Sequence, residues 1–387
     1  NWKRRMSIQS HADDSSKEIT SDPWHALLKK NGKPVRSGEA IEALKERVAE
    51  DRVTRLALTF LDRFEGVHLK DQVVDWMDAH RRVRINGHEV FNFGSDSFRG
   101  LDRDDRVQQA IVNTLEEWGT HNGASRAFSS VALCEEAERR LANWLQVQDT
   151  LIFPSVTLAN MGLLPALAGK GDLLVVDRKS HDSLQQASLI AAGNGATVKQ
   201  LTHCDGNSLD ELLKQHDYEG LVVVVDGVYS MTGDVPPLKE LDEVTRRHGG
   251  ILYVDDAHAT AMVGPQGRGA AHLALGSLDN ILMIGSLSKA FSCLGAFVTC
   301  DKRLKRLLKI RSSTYIFGGP VPPPYLAAVC AVCDILESPE YGDLIDGLRS
   351  MVAQLTDGLR ELKMVYQGGD AGIVAITIGD IEETLIA

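Results

Sequence analysis

The run "LVVVVD", residues 221–226, offers no polar face: four valines and a leucine lead directly into one carboxylate. A strand with one wet face alternates apolar and polar residues, whereas one buried on both faces is apolar throughout. "TLIF" (150–153), "DLLVVD" (172–177), "ILYVD" (251–255) and "NILMIG" (280–285) have the same character. Helical spacing marks the segments near 104–118, 134–146, 158–168, 182–192, 208–216 and 238–248. This alternation predicts an α/β fold, a mostly parallel sheet covered by helices on both faces. Ligands of such sheets bind outside the carboxyl ends of the strands, so the residues that leave each strand matter most.

Around this block, residues 1–37 are polar and aperiodic and read as a flexible tail. Residues 39–64 have helical spacing, with Leu44, Val48, Leu56 and Leu61 among the apolar positions, and "RRVRINGHEVFNFGS" (81–95) reads as a hairpin about Asn86-Gly87. The expected organisation is an N-terminal helix and β-hairpin segment (38–103) and a large domain (104–338). A helix at 340–363 and a strand at 372–378 then open an incomplete C-terminal α+β domain (339–387).

The 387 residues are 43% hydrophobic and 25% charged, an ordinary globular balance. A formal charge of -11 argues against nucleic acid or an anionic membrane as partner. No apolar run approaches the roughly 20 residues of a membrane span. The opening "NWKRRMSIQS" lacks the apolar core of a secretion signal, so a cytoplasmic protein is expected, and Asn1 in place of methionine suggests a fragment. Cys330 and Cys333 form a CxxC within the apolar helical stretch "YLAAVCAVCDIL". With no second pair or nearby histidine they read as core residues, and no metal is expected.

The strand exits carry chemistry. "LLVVD" leads to Arg178, Ser180 and His181; "VVVVD" ends at Asp226 and leads to Tyr229 and Ser230; "LYVD" ends at Asp255 and leads to His258; "ILMIG" runs into Ser286 and Lys289. An amine set among Met283, Ile284, Phe291 and Leu294 would lose the solvation of its ammonium form and become a Schiff-base nucleophile. A surface lysine in a Gly/Ser loop is the plain alternative. A serine–lysine pair at Ser286 and Lys289 would want Ser-Asp-Asn and Lys-Thr-Gly elements, and neither occurs. "GPQGRG" (264–269) is a weak nucleotide-loop signal because it does not join a strand to a helix as required. Asp255 and His258 could also be a helix cap beside a satisfied histidine.

Pyridoxal phosphate accounts for the whole set. Its aldehyde needs a lysine, and its pyridine nitrogen needs a carboxylate to stay protonated. Asp255 is placed for the nitrogen and His258 for the ring hydroxyl. Ser286 and the helix start after "FPSVT" suit the phosphate.

"VDRKSHDSL", "VDGVYSMTGD", "YVDDAHATAMVGPQGRG" and "GSLSKAFSCLGAF", in this order, resemble the α-oxoamine synthases, which are fold-type I pyridoxal phosphate enzymes. The resemblance runs from about residue 90 to 340. It implies a homodimer with a shared active site. The implied reaction is a decarboxylative condensation of a small amino acid (glycine, alanine or serine) with an acyl-CoA or acyl carrier protein thioester, giving an aminoketone, CO2 and free thiol. It also implies that Lys289 is the Schiff-base lysine, that Asp255 holds the pyridine nitrogen, that His181 stacks on the ring and orients the thioester, and that His258 bonds the ring oxygen. Ser230 and Ser286 would line the cofactor site, the amides near Val156 and Thr157 would hold the phosphate, and Asp226 matches an acidic position beside them.

Several positions depart from the family. Its "NFSSNDYLGL" is here "NFGSDSFRGL" (92–101), so Asp96 replaces an asparagine near the substrate and Phe98 a tyrosine. Asp96 and Ser125 are the candidate substrate-side residues. Cys134 stands where a histidine is usual, and Gly318 and Gly319 where a partner subunit's Ser-Thr pair touches the phosphate. The chain stops at "GDIEETLIA", before the family's C-terminal carboxylate-binding arginine, so weak amino acid binding by these residues alone is expected. Two other readings stay open: another fold-type I activity such as an aminotransferase, and a non-catalytic partner subunit. The presence of both Lys289 and Asp255 argues against the second.

Overall fold

The computed structural model describes residues 40–63, 72–379 and 383–384, so the expected tail at 1–37 lies outside the described residues. Two compact units are present: residues 71–384 form one, and the other contains the segment 40–63.

In the smaller unit the single helix expected over 39–64 is two, α1 Ala40–Glu50 and α2 Arg52–Arg63. The break has a local cause. Asp51 turns its carboxylate onto the N–H groups of Val53 (3.0 Å) and Thr54 (3.1 Å), capping a new helix instead of continuing the old one.

The larger unit opens with three antiparallel strands, β1 Val74–Met77, β2 Arg82–Ile85 and β3 His88–Phe91. The expected hairpin turns at Asn86 and Gly87, both left-handed (φ 50° and 81°), as a two-residue turn of matching twist requires.

The main sheet then follows. Its strands are β4 Asp149–Phe153, β5 Asp172–Asp177, β6 Thr197–Leu201, β7 Gly220–Asp226, β8 Ile251–Asp255, β9 Ile281–Ser286 and β10 Ala296–Cys300. They lie in the order β4-β10-β9-β8-β7-β5-β6. β10 runs antiparallel to β4 and β9, and the remaining pairs are parallel. Helices α3 Asp105–Trp118, α4 Ala132–Leu145, α5 Val156–Leu167, α6 Asp182–Gly193, α7 Gly206–Lys214, α8 Leu238–Arg247 and α9 Ala270–Leu275 alternate with these strands.

The valine run shows why the sheet is covered twice. Val223 and Val225 join one core with Leu252 and Val254, while Val222 and Val224 join a second core with Tyr253. Side chains alternate across a strand, so a strand apolar at every position feeds two cores. Beyond the sheet come α10 Lys302–Arg311, α11 Ser313–Phe317, α12 Pro323–Glu337 and α13 Glu340–Glu361, then the pair β11 Tyr366–Gly368 and β12 Val374–Ile376. The CxxC lies on α12 as two free thiols, Cys333 fully buried and Cys330 half-buried.

Candidate active site

β7 and β8 are in register so that Asp226 lies opposite Asp255, two carboxylates on neighbouring strand ends. Asp255 is 4% exposed. One of its oxygens accepts from Asn160 Nδ2 at 2.7 Å, the other from the N–H of Ala257 at 3.2 Å. Among the described residues it has no ion pair, and burial pushes its carboxyl above the usual range. Asp226 accepts from the N–H of His181 at 3.2 and 3.3 Å; burial, then the charge of Asp255, pushes it up to about 8.

The second aspartate of "VDDAH" points elsewhere. The Asp256 carboxylate takes the N–H groups of Ala270 (3.3 Å) and Ala271 (3.4 Å), and burial pushes it up to about 8. A Cβ on Gly227 would lie 1.9 Å from Asp256 Oδ1, and one on Gly269 2.0 Å from Oδ2, so both approaches need glycine. Asp256 is therefore a clamp between loops, and of these two neighbours it is Asp255 that faces the sheet edge, beside Asp226.

Asn160 is the organiser that the sequence reading missed. On α5 it accepts from the Tyr253 hydroxyl (2.7 Å) and donates to Ser183 Oγ (2.9 Å) as well as to Asp255. Ser183 Oγ lies 2.8 Å from His181 Nδ1, which also accepts the Ser183 N–H at 3.2 Å, so His181 caps α6 while its ring stays exposed. One network thus ties His181 to Asp255. The signal was present in the sequence: a single amide in the otherwise apolar helix "VTLANMGLLPAL" needs buried partners.

His258 is half-buried; burial, then the Lys289 charge, pushes its ring down to about 4. Its Nδ1 has no partner among the described residues, and Phe98 meets the ring edge-on at 6.5 Å. Lys289 requires a correction. Met283, Ile284 and Phe291 turn into the two cores, which leaves the amine at the sheet edge rather than in an apolar shell. Its Nζ donates to Asp96 Oδ2 at 3.0 Å. Ser97 Oγ lies 2.7 Å from Ser292 Oγ, so the 96–97 segment grips both ends of the lysine loop.

Ser286 is buried at the end of β9 and accepts from the Ser288 N–H at 3.2 Å. Val156 and Thr157 form the first turn of α5, capped by Ser155 onto the Leu158 N–H at 3.2 Å. A cleft of about 550 Å3 opens over Ser230, His258 and Asp96. Ser125 is committed elsewhere, its Oγ donating to the Ile316 carbonyl at 2.6 Å. The donor set fits pyridoxal phosphate: a buried carboxylate without an ion pair and an imidazole nitrogen without a partner among the described residues, a helix N-terminus and a primary amine meet at one edge.

Residues 88–386 match the family described as aminotransferase class I and II. The chain is 36% identical to 8-amino-7-oxononanoate synthase of Geobacter sulfurreducens, over 79% of this chain and 78% of the relative. It is 31% identical to serine palmitoyltransferase of Bacteriovorax stolpii, over 77% and 70%. Serine palmitoyltransferase of S. paucimobilis, solved with PLP–myriocin bound, superposes with a TM-score of 0.80 at 27% identity, covering 87% of this chain and 86% of that one.

Proposed function

We propose, since this chain belongs to the α-oxoamine synthases of the class I and II aminotransferase family, that it condenses glycine, alanine or serine with an acyl thioester, releasing CO2 and thiol. It is a pyridoxal phosphate enzyme by family. The cofactor, when bound, supplies an aldehyde for imine formation and a ring that withdraws electrons.

One observation carries the reading: Asp255 is a buried carboxylate that makes no ion pair among the described residues, at the edge where Lys289, His181 and His258 converge. Such a charge is costly until a cation reaches it, and a protonated pyridine nitrogen is that cation. Burial raises both Asp226, to about 8, and Asp255, so a cation arriving at this edge is what would let Asp255 carry its charge.

Lys289 would anchor the cofactor and, once released by the substrate amine, take the proton from the substrate α-carbon. Asp96, 3.0 Å away, would steady the resulting ammonium. His181 would lie against the ring and orient the thioester. His258, kept neutral by its low value of about 4, would bond the ring oxygen. Ser286 and the Val156 and Thr157 amides would hold the phosphate, with Ser230 lining the site.

We also propose a cytoplasmic homodimer that uses coenzyme A or a carrier protein as thiol carrier. Ser125 ties the loop bearing Phe128 to the end of α11, and Phe128 and Phe317 are 90% and 84% exposed, an apolar surface suited to a second subunit. Light scattering at micromolar concentration should therefore give twice the 42.3 kDa chain mass.

The deciding experiment crosses the three amino acids with short and long acyl thioesters and reads thiol and CO2 together. Borohydride on the loaded protein should fix the cofactor to Lys289. Keto acid production without thiol release would assign an aminotransferase instead. A colourless protein left unlabelled at saturating cofactor would remove the reading altogether.

A further inference from the structure

The cleft over Ser230, His258 and Asp96 has a pronounced apolar side. On α13, Leu348, Met351, Val352 and Leu355 line it at i, i+3, i+4 and i+7, one continuous helical stripe facing the cleft. Phe91 and Phe93 line the cleft from the 91–98 segment. Phe93 is 90% exposed and Met351 61%, so this apolar lining is open to solvent.

The charges in the cleft are already committed. The Arg81 guanidinium is paired with Asp102 and donates to Ser97 Oγ at 2.8 Å. Asp96 is paired with Lys289, and His80 is exposed. Among the described lining residues, then, no arginine or lysine is free to receive an anion, and Asp96 would repel one.

We propose that the acyl donor carries a long, uncharged chain whose carbonyl end lies by His258 and Lys289 and whose methylenes run along the α13 stripe. This rests on the condensation reading above and names the chemical class of its second substrate. The cleft opens onto the reacting groups, its open side is apolar, and its cation is neutralised; an acyl chain ending in a carboxylate would bring its charge against that apolar side with no free cation among the described lining residues to receive it. Each buried methylene is worth about a fourfold gain in binding, so chain length is the natural readout.

The test compares coenzyme A thioesters of octanoate, hexadecanoate and 6-carboxyhexanoate in thiol release, using the loaded full chain. In parallel, titration calorimetry uses the unreactive S-octyl and S-hexadecyl thioethers of coenzyme A. We expect kcat/KM to rise at least about tenfold from octanoyl to hexadecanoyl, and the 6-carboxyhexanoyl donor to fall below octanoyl. The hexadecyl thioether should likewise bind at least about tenfold more tightly than the octyl. Met351→Arg should erase the length preference in both assays and improve the carboxylated donor, while Met351→Leu retains the parent pattern; matching melting temperatures certify the fold.

A preference for the carboxylated donor would overturn the proposal. So would length-independent binding, which would mean that the cleft is filled by another part of the chain or by a second subunit. Absence of thiol release from every donor would remove the condensation reading, and the calorimetry would then decide the cleft alone: tighter hexadecyl binding supports an apolar chain site, and equal binding overturns it.

Discussion

At the level of single side chains, Asp255 and His258 make separable predictions. Asp255→Ala removes the buried charge while leaving Lys289 in place, so the variant should still take up cofactor and colour. Its turnover should fall by 10^3 or more, about 4 kcal/mol in barrier, because the electron sink depends on a protonated ring nitrogen. Near-normal turnover would reduce Asp255 to a structural role. His258 is held down to about 4 from an ordinary 6.5, first by burial and then by the Lys289 charge. The folded state therefore resists a proton that the unfolded chain accepts, and this group withdraws stability as pH falls from 6.5 towards 4. NMR of the imidazole should show a neutral ring at pH 6, and Lys289→Ala should move its titration upward. A ring that titrates near 6.5 in the parent protein would contradict the packing described. The Lys289–Asp96 contact was not legible in the sequence, because it joins residues far apart in the chain and depends on Met283 and Phe291 turning inward.

Elements succeed or fail on how their faces meet. Gly162 lies in the middle of α5, and a Cβ there would come within 1.9 Å of Thr314 Oγ1 and 2.3 Å of Ser312 Oγ. Thr314 Oγ1 in turn donates to the Leu158 carbonyl at 2.6 Å, fastening α11 to the first turns of α5. Gly162→Ala should force these helices apart, costing about 1–3 kcal/mol. Because Val156 and Thr157 open α5, cofactor affinity should weaken as well; a melting curve and a cofactor titration read the two effects. Sequence patterning located α5 and the strands that feed both cores, since continuous apolar runs and 3.6-residue spacing are strong signals. It missed β6, where "TVKQL" is an edge strand mixing polar and apolar residues. It also missed β10, and it ran α1 into α2 because amphipathic spacing continues past Asp51 while the capping bonds that interrupt it are local.

For the molecule as a whole, the buried carboxylates tie stability to pH. Asp226 and Asp256 are each pushed up to about 8 from 3.8, and Asp255 is raised, all chiefly by burial. The native state thus holds protons that the unfolded chain has released above about pH 4. The stability from these groups is complete below that point and is lost as pH rises through about 8. The cofactor-free protein should melt at a lower temperature at pH 8.5 than at pH 6. Saturating cofactor should shrink that difference by giving Asp255 its counter-charge. Equal melting temperatures for the cofactor-free protein at the two pH values would show that these carboxylates are already compensated.

The placement of β10 has a consequence for how the chain comes into being. β4 is the first strand of the main sheet to leave the ribosome, yet its only neighbour among the described residues is β10, with Thr150 opposite Thr299. At roughly 5–20 residues per second, β4 waits on the order of ten seconds for that neighbour to be synthesised. Until then both of its edges are unpaired, and such edges invite pairing with other chains. β10 also follows the loop bearing Lys289 and pairs with β9 before it, so its arrival closes the sheet around the reactive amine and orders β4, which leads directly into α5. Chains interrupted before residue 296 should be degraded or held by chaperones rather than accumulate as partly active enzyme, because closure of the sheet and assembly of the reactive site are one event in biosynthesis.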